Sequence, residues 1–180
     1  GIVGETTAAN QGRSLRRLFD FEEGELWHTK YNEKAIPFDL IMDLKSINQV
    51  DKFHYLPREN AGNGTILKGT VYYSMDKENW TEAGAFDWKR DNEVKIFTFS
   101  QVPTARYIKM NVTEAVGNYG SGREIYVFKV PGTESYLPGD INNDKLVDEN
   151  DLTSYTNYTG LRRGDADFQP PTTTGDSNRT

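Results

Sequence analysis

Cysteine is absent from all 180 residues, which excludes disulfides, thiolate zinc sites and a thiol nucleophile. No apolar run approaches the roughly 18 residues that a membrane-spanning helix requires, and hydrophobic residues make up only 36% of the chain. Basic residues are also in deficit, since 21 Lys and Arg against 27 Asp and Glu leave a net charge of −6. Nucleic-acid binding rests largely on cations that neutralise phosphates, so this balance disfavours it. Helical periodicity is scarce: Leu15, Leu18 and Phe19, spaced i, i+3 and i+4, predict one brief helix and no other before residue 148. Gly-x-Ser-x-Gly, His-Glu-x-x-His and Walker patterns are missing, and no motif marks a catalytic centre. The opening Gly1-Ile2-Val3-Gly4 lacks the charged and apolar regions of a signal peptide, so the chain reads as a mature protein or a piece of a longer one.

What the sequence does contain is short stretches of period-2 alternation. Phe38-Leu40-Met42-Leu44, Val50 to Leu56, Lys68 to Ser74, Val94 to Ser100, Tyr107 to Val112 and Glu124 to Val130 each read as a strand, with Gly, Asn, Asp and Pro between them. Short strands without helical crossovers predict an all-β sandwich or jelly roll over about residues 1–132, in which each sheet hides one face against the other. Trp27 and Trp80 fall within strand-like motifs and are expected in the core. Residues 133–137 read as a linker. Between Pro138 and Phe168 seven acids stand against three bases, so most of the acid surplus is local to residues 138–168. Residues 169–180 are Pro, Thr, Gly, Ser and Asn with almost nothing apolar, a composition expected to stay disordered.

The most specific local pattern lies in that acidic stretch. Asp140, Asn142, Asp144, Asp148 and Asp151 place oxygen side chains at positions 1, 3, 5, 9 and 12 of a twelve-residue loop, and Leu146 supplies a carbonyl at position 7. This is the rhythm by which a calcium loop collects six to eight hard oxygen ligands. Lys145 stands where such loops place Gly, at a cost of about 1–2 kcal/mol if φ must be positive. The segment resembles the first half of a dockerin, a module whose two loop-helix units pair with cohesin. The second unit is not convincing, because Gln169, Pro170 and Pro171 interrupt it. A truncated unit makes cohesin binding an expectation for the parent protein rather than for this chain.

A second resemblance spans nearly the whole β region. Leu18-Phe19-Asp20, Leu26-Trp27-His28-Thr29, Phe38 to Leu44, Tyr55-Leu56-Pro57-Arg58, Val71-Tyr72-Tyr73-Ser74, Asn79-Trp80, Ala105-Arg106-Tyr107-Ile108 and Arg123 to Val127 follow one another as in the F5/8 type C (discoidin) family. With no cysteines and a dockerin-like tail, the chain resembles the bacterial branch, the family 32 carbohydrate-binding modules. That resemblance implies a discoidin-like jelly-roll sandwich and a non-catalytic role. Such a module targets an attached, secreted glycoside hydrolase to galactose-type or N-acetylhexosamine glycans.

A sugar is held in water by fork-like polar groups aimed at its hydroxyls and by an aromatic ring against its apolar face. Arg58 presents a planar guanidinium, and Asn63, five residues on in a Gly-rich loop, offers both a donor and an acceptor. The resemblance implies that His28, Arg58 and Asn63 hold the ring. Tyr119, in the flexible loop before the last strand, is the expected stacking partner, with Trp88 as the runner-up. It also implies a structural calcium near the N-terminal loop, for which Asp20 and Glu124 match the pattern and Glu25 stands at a third ligand position. The alternative is a structural or protein-contact module without sugar binding. Membrane adhesion, as in coagulation-factor relatives, is disfavoured by loops rich in Gly, Asn and acids.

Overall fold

The computed structural model describes residues 1–10, 14–130 and 146–147, and the architecture is almost entirely β. The strands are β1 (Val3–Thr6), β2 (Trp27–His28), β3 (Phe38–Leu56), β4 (Ile66–Ser74), β5 (Thr81–Asp87), β6 (Lys95–Thr98), β7 (Thr104–Ala115), β8 (Ser121–Gly122), β9 (Glu124–Lys129) and β10 (Leu146–Val147). Hydrogen bonding runs in the order β10-β9-β3-β7-β4-β5, with β1 and β6 also joined to β3. All pairings are antiparallel except β10 on β9.

β3 is the hinge of the sandwich. Its first half pairs with β1 and β7, its second half with β6 and β9, and the register breaks between Asp43 and Asn48. Alternation expects two strands here, and the structure joins them into one of 19 residues. Lys45 turns the chain at φ 71. Ser46 and Asn48 are buried at the bend, where the Asn48 side-chain amide donates to both the carbonyl and the hydroxyl of Ser46 at 2.9 Å. Local polar bonding thus replaces the apolar alternation that marks the two arms.

Phe38, Leu40, Met42 and Leu44 are fully or almost fully buried, while Asp39, Ile41 and Asp43 between them are half-buried on the other face. On that outer face the Arg106 guanidinium forks onto Asp43 at 2.9 and 3.2 Å. Burial alone would raise the Asp43 carboxyl, but Arg106 and the Lys45 amide hold it below its ordinary value. Phe53 stacks on its cross-strand partner Phe97 of β6 at 5.5 Å, and the nearby Phe99 ring meets Tyr73 of β4 edge-on at 6.5 Å. Truncating one such core ring to alanine costs about 3–5 kcal/mol.

The expected short helix is a single 3₁₀ turn, Leu15–Phe19, capped by Ser14 Oγ accepting from the Arg16 amide at 3.1 Å. Its Leu15, Leu18 and Phe19 are buried, as the spacing requires. Trp27 is fully buried, but Trp80 is only half-buried on the outer face, with the Lys109 ammonium 4.3 Å from its ring. Among the described residues no helix is long and apolar enough to cross a membrane.

Candidate functional site

Three segments meet at one end of the sandwich: Leu26 to Tyr31, Arg58 to Thr65 and Val116 to Arg123. The two-residue ladder of β2 and β8 brings the first and third together, with Trp27 opposite Gly122 and His28 opposite Ser121. Backbone bonds then join the second and third: Gly64 N–H to the Val116 carbonyl at 2.8 Å, Ser121 N–H to the Gly64 carbonyl at 2.9 Å, and Val116 N–H to the Thr65 carbonyl at 2.9 Å. Gly64 permits this contact because its φ is +92, and a Cβ there would lie 2.5 Å from Ser121 Oγ.

One carbonyl organises the polar part of the site. The Asn63 carbonyl accepts from Arg58 Nη1 and from Ser121 Oγ, each at 2.9 Å. Arg58 is half-buried and Asn63 exposed. Beneath them Tyr55 is fully buried; its phenol donates to the Ser121 carbonyl at 2.6 Å and accepts from the Ile66 amide at 3.1 Å. Burial pushes the Tyr55 phenol well up from its ordinary value, so it remains a donor.

The aromatic part adjoins it. Gly117, at φ +68, lies against Asn63 Oδ1 and the Tyr119 ring; a Cβ there would meet them at 2.6 and 3.1 Å. Tyr119 lies 5.4 Å from both His28 and Tyr31, measured between ring centroids. Its phenol oxygen accepts from the Asn32 amide at 3.1 Å. His28 is 1% exposed and stacks under Tyr31 at 4.2 Å and 25°. His28 Nδ1 lies 2.5 Å from the Thr29 carbonyl, which can only accept, so Nδ1 carries the proton.

The structure therefore gathers all four sequence-predicted residues, His28, Arg58, Asn63 and Tyr119, at one end. It sets them at different depths: His28 is covered, whereas Tyr31, which the sequence reading missed, is 39% exposed above it. The available signal was an aromatic ring among the polar residues Lys30, Asn32 and Glu33, whereas Tyr119 was singled out by its place in the flexible loop before the last strand. Trp88 is not free to stack on a ligand, because it packs on Phe86 at 4.1 Å and Tyr55 at 5.8 Å.

The acidic N-terminal loop forms a separate cluster. Glu124 is fully buried; one carboxylate oxygen accepts from the Phe21 amide at 2.9 Å and the other has no partner among the described residues. Burial first, and then Asp20 and Glu23, push its pKa up to about 10. Asp20 accepts from the Glu22 amide at 2.9 Å, and Glu25 is paired with Arg17 at 2.7 Å. Among the described residues no three metal-ligating side chains converge. Asp20 and the orphaned Glu124 oxygen suit a hard cation by chemistry, while Glu25 is engaged elsewhere. Of the C-terminal loop, Asp140, Asn142, Asp144, Asp148 and Asp151 lie outside the described residues, as do the linker, the tail and all of the 138–168 unit but Leu146 and Val147. Leu146 is described as backbone and pairs with Val127.

A rigid β-sandwich that carries polar and aromatic residues on loops at one end belongs to the class of scaffolds that place their variable residues in loops. The chain belongs to the F5/8 type C domain family, which it matches over residues 4–125. Among solved structures it is similar to a family 32 carbohydrate-binding module from Clostridium perfringens in complex with GalNAc-β-1,3-galactose. They share 28% identity over 70% of this chain and 94% of that one, with a TM-score of 0.65. The family 32 module of C. perfringens NanJ, in complex with galactose, is 26% identical over 70% of this chain and 92% of that one, also with a TM-score of 0.65. An A type blood N-acetyl-α-D-galactosamine deacetylase from Flavonifractor plautii is 27% identical over 127 residues, 68% of this chain but only 16% of that protein.

Proposed function

We propose that the sandwich is a non-catalytic sugar-binding module for galactose-type or N-acetylhexosamine glycans. The observation that carries this reading is the convergence of Arg58, Asn63, Tyr119 and Tyr31 on one end of the fold. Tyr31 and Tyr119 stand edge to face at 66°, and Tyr31 is 39% exposed, which supports aromatic contact with the apolar side of a pyranose. Arg58 has one N–H on the Asn63 carbonyl and further donors for vicinal hydroxyls; Asn63 adds an amide. The two Clostridium modules, solved with galactose and with GalNAc-β-1,3-galactose, support the same ligand class.

The module serves, in this reading, to concentrate a catalytic domain in the same secreted bacterial protein on its glycan. Linkage makes a second contact intramolecular, so a weak site suffices. The similarity to a small share of a much longer deacetylase supports an accessory role. We also propose calcium as a structural cofactor, at Asp20 and Glu124 and at the loop of residues 140–151; cohesin pairing stays with the parent protein.

The test is a glycan array in calcium buffer with Arg58→Ala and Tyr31→Ala run beside the natural chain. Selective signal for galactose- or N-acetylhexosamine-terminated glycans, lost in both variants while they remain folded, is the expected result. A blank array from a folded protein favours the protein-contact reading instead.

A further inference from the structure

Beside the aromatic end lies a cleft of about 310 Å³. It sits at the lower edge of the roughly 300–1,000 Å³ of small-molecule sites, room for one further small ring rather than a long chain. Its walls come from the three segments of the site above and from the acidic loop that leads into the first: Glu23, Gly24 and Glu25 run up to Leu26, Glu59 and Asn60 precede Asn63, and Arg123 follows Ser121. Arg58 belongs to both places. Its Nη1 fixes the Asn63 carbonyl on one side, and its side chain lines the cleft on the other.

The lining chemistry narrows the ligand class. Arg58 and Arg123 would repel a cation, while Glu23, Glu25 and Glu59 would repel an anion. A neutral polyol accepts from the first pair and donates to the second set, because each hydroxyl is both donor and acceptor. Glu25 is held by Arg17 at 2.7 Å and Glu23 accepts from the Tyr126 phenol at 2.5 Å, so the groups left for a ligand are chiefly Arg58, Arg123, Glu59 and Asn60. Arg123 spends Nε on the Pro57 carbonyl at 2.7 Å, and its Nη1 meets Glu59 only at 3.8 Å. Glu59 is 84% exposed, and Asn60 uses its carbonyl on the Gly62 amide, leaving its NH₂. Half-buried Leu26 adds an apolar surface for a ring.

We infer that this cleft is a second sugar subsite, continuous with the first through Arg58, and that the ligand is a neutral oligosaccharide of at least two residues. The inference rests on the sugar-binding reading and adds a claim about length and charge. It makes Leu26, Glu59 and Arg123 specificity-determining residues, with no part in gripping the terminal ring.

Calorimetric titration of the full chain with galactose, N-acetylgalactosamine and GalNAc-β-1,3-galactose tests it. The disaccharide is expected to bind at least ~10-fold more tightly than the better monosaccharide, a difference of about 1.4 kcal/mol. Glu59→Ala and Arg123→Met are expected to remove most of that advantage and leave monosaccharide affinity within about twofold. Equal binding of mono- and disaccharide by the natural chain overturns the second subsite and leaves the proposed function standing. A disaccharide advantage that survives both variants overturns the placement in this cleft, and tighter binding of a uronic-acid disaccharide overturns the ligand class. No binding of any sugar by a chain that melts cooperatively overturns both readings. The comparison within the natural chain decides the matter even if Arg123→Met does not fold.

Discussion

Replacing Tyr55 with Phe tests whether the core holds the binding loops in place. The ring sits in the sandwich, stacked on Trp88 at 5.8 Å, and a phenylalanine keeps that packing without opening a cavity. What is lost is one oxygen that serves two backbone groups, the Ser121 carbonyl and the Ile66 amide. Each buried group left without a partner costs about 1–3 kcal/mol, so the pair is expected to cost about 2–6 kcal/mol. In a domain of this size each kcal/mol is worth about 3–5 °C, which puts the fall in melting temperature at roughly 6–30 °C. Thermal unfolding followed by circular dichroism measures the shift, and a urea titration with unchanged m shows that stability alone has moved. Sugar affinity is expected to fall with it, since Ser121 also donates to the Asn63 carbonyl. A loss below about 0.5 kcal/mol would refute the argument, because water or a relaxed backbone would then be serving both groups as well as the phenol does.

Gly64→Ala is expected to cost more than the ~1–2 kcal/mol of a residue forced to positive φ, because the new Cβ also strikes Ser121 and the Gly120 backbone at 2.5–2.7 Å; melting and sugar titration should both report it. His54 gives a pH dependence. Burial, helped by the charge of Lys52, lowers its pKa from 6.5 to about 3, so between these values the unfolded chain binds a proton that the folded one refuses. Its contribution is complete above pH 6.5 and is lost on acidification at about 1.4 kcal/mol per pH unit. Urea unfolding from pH 7 to pH 5 should therefore cost the natural chain about 2 kcal/mol more than His54→Leu; parallel losses would refute the burial argument. Calcium is read by chelation: EDTA is expected to lower the melting temperature. Glu124→Gln should remove the part due to the Asp20–Glu124 site, and an unmoved melting curve counts against both proposed sites.

The legible parts of the fold were those where one strand face is buried and the other is not. β4, β6, β7 and the first arm of β3 follow that pattern, whereas β9 and the end of β3 are buried on both faces and read as strands from their β-branched and aromatic residues; the family resemblance is carried by motifs within and beside them. β5 escaped because Thr81–Asp87 is an edge strand in which only Phe86 is buried, so it shows no alternation. β1 escaped for the same reason. The union of the two β3 arms was hidden by Ser46 and Asn48, whose burial depends on their bonding to each other. At the site, the spacing of Arg58 and Asn63 placed both in one loop, but the stacking order of His28 and Tyr31 could not be read. Which ring lies uppermost is settled by the β2–β8 ladder and by Tyr119, contacts between segments roughly 90 residues apart.

Ser121 ties these observations together. Its carbonyl takes the Tyr55 phenol, its hydroxyl donates to Asn63, its amide donates to Gly64, and it stands opposite His28 in the ladder. The loops of the proposed sugar site are thereby fixed to the most buried residues of the sandwich before any ligand arrives. Ordering a side chain or loop on binding costs free energy that a small polar ligand repays poorly, so a site of few contacts gains most from being held in advance. On this argument core substitutions such as Tyr55→Phe weaken sugar binding without touching sugar. Changes at the exposed rim, such as Glu59→Ala, alter which glycan is preferred and leave the fold intact.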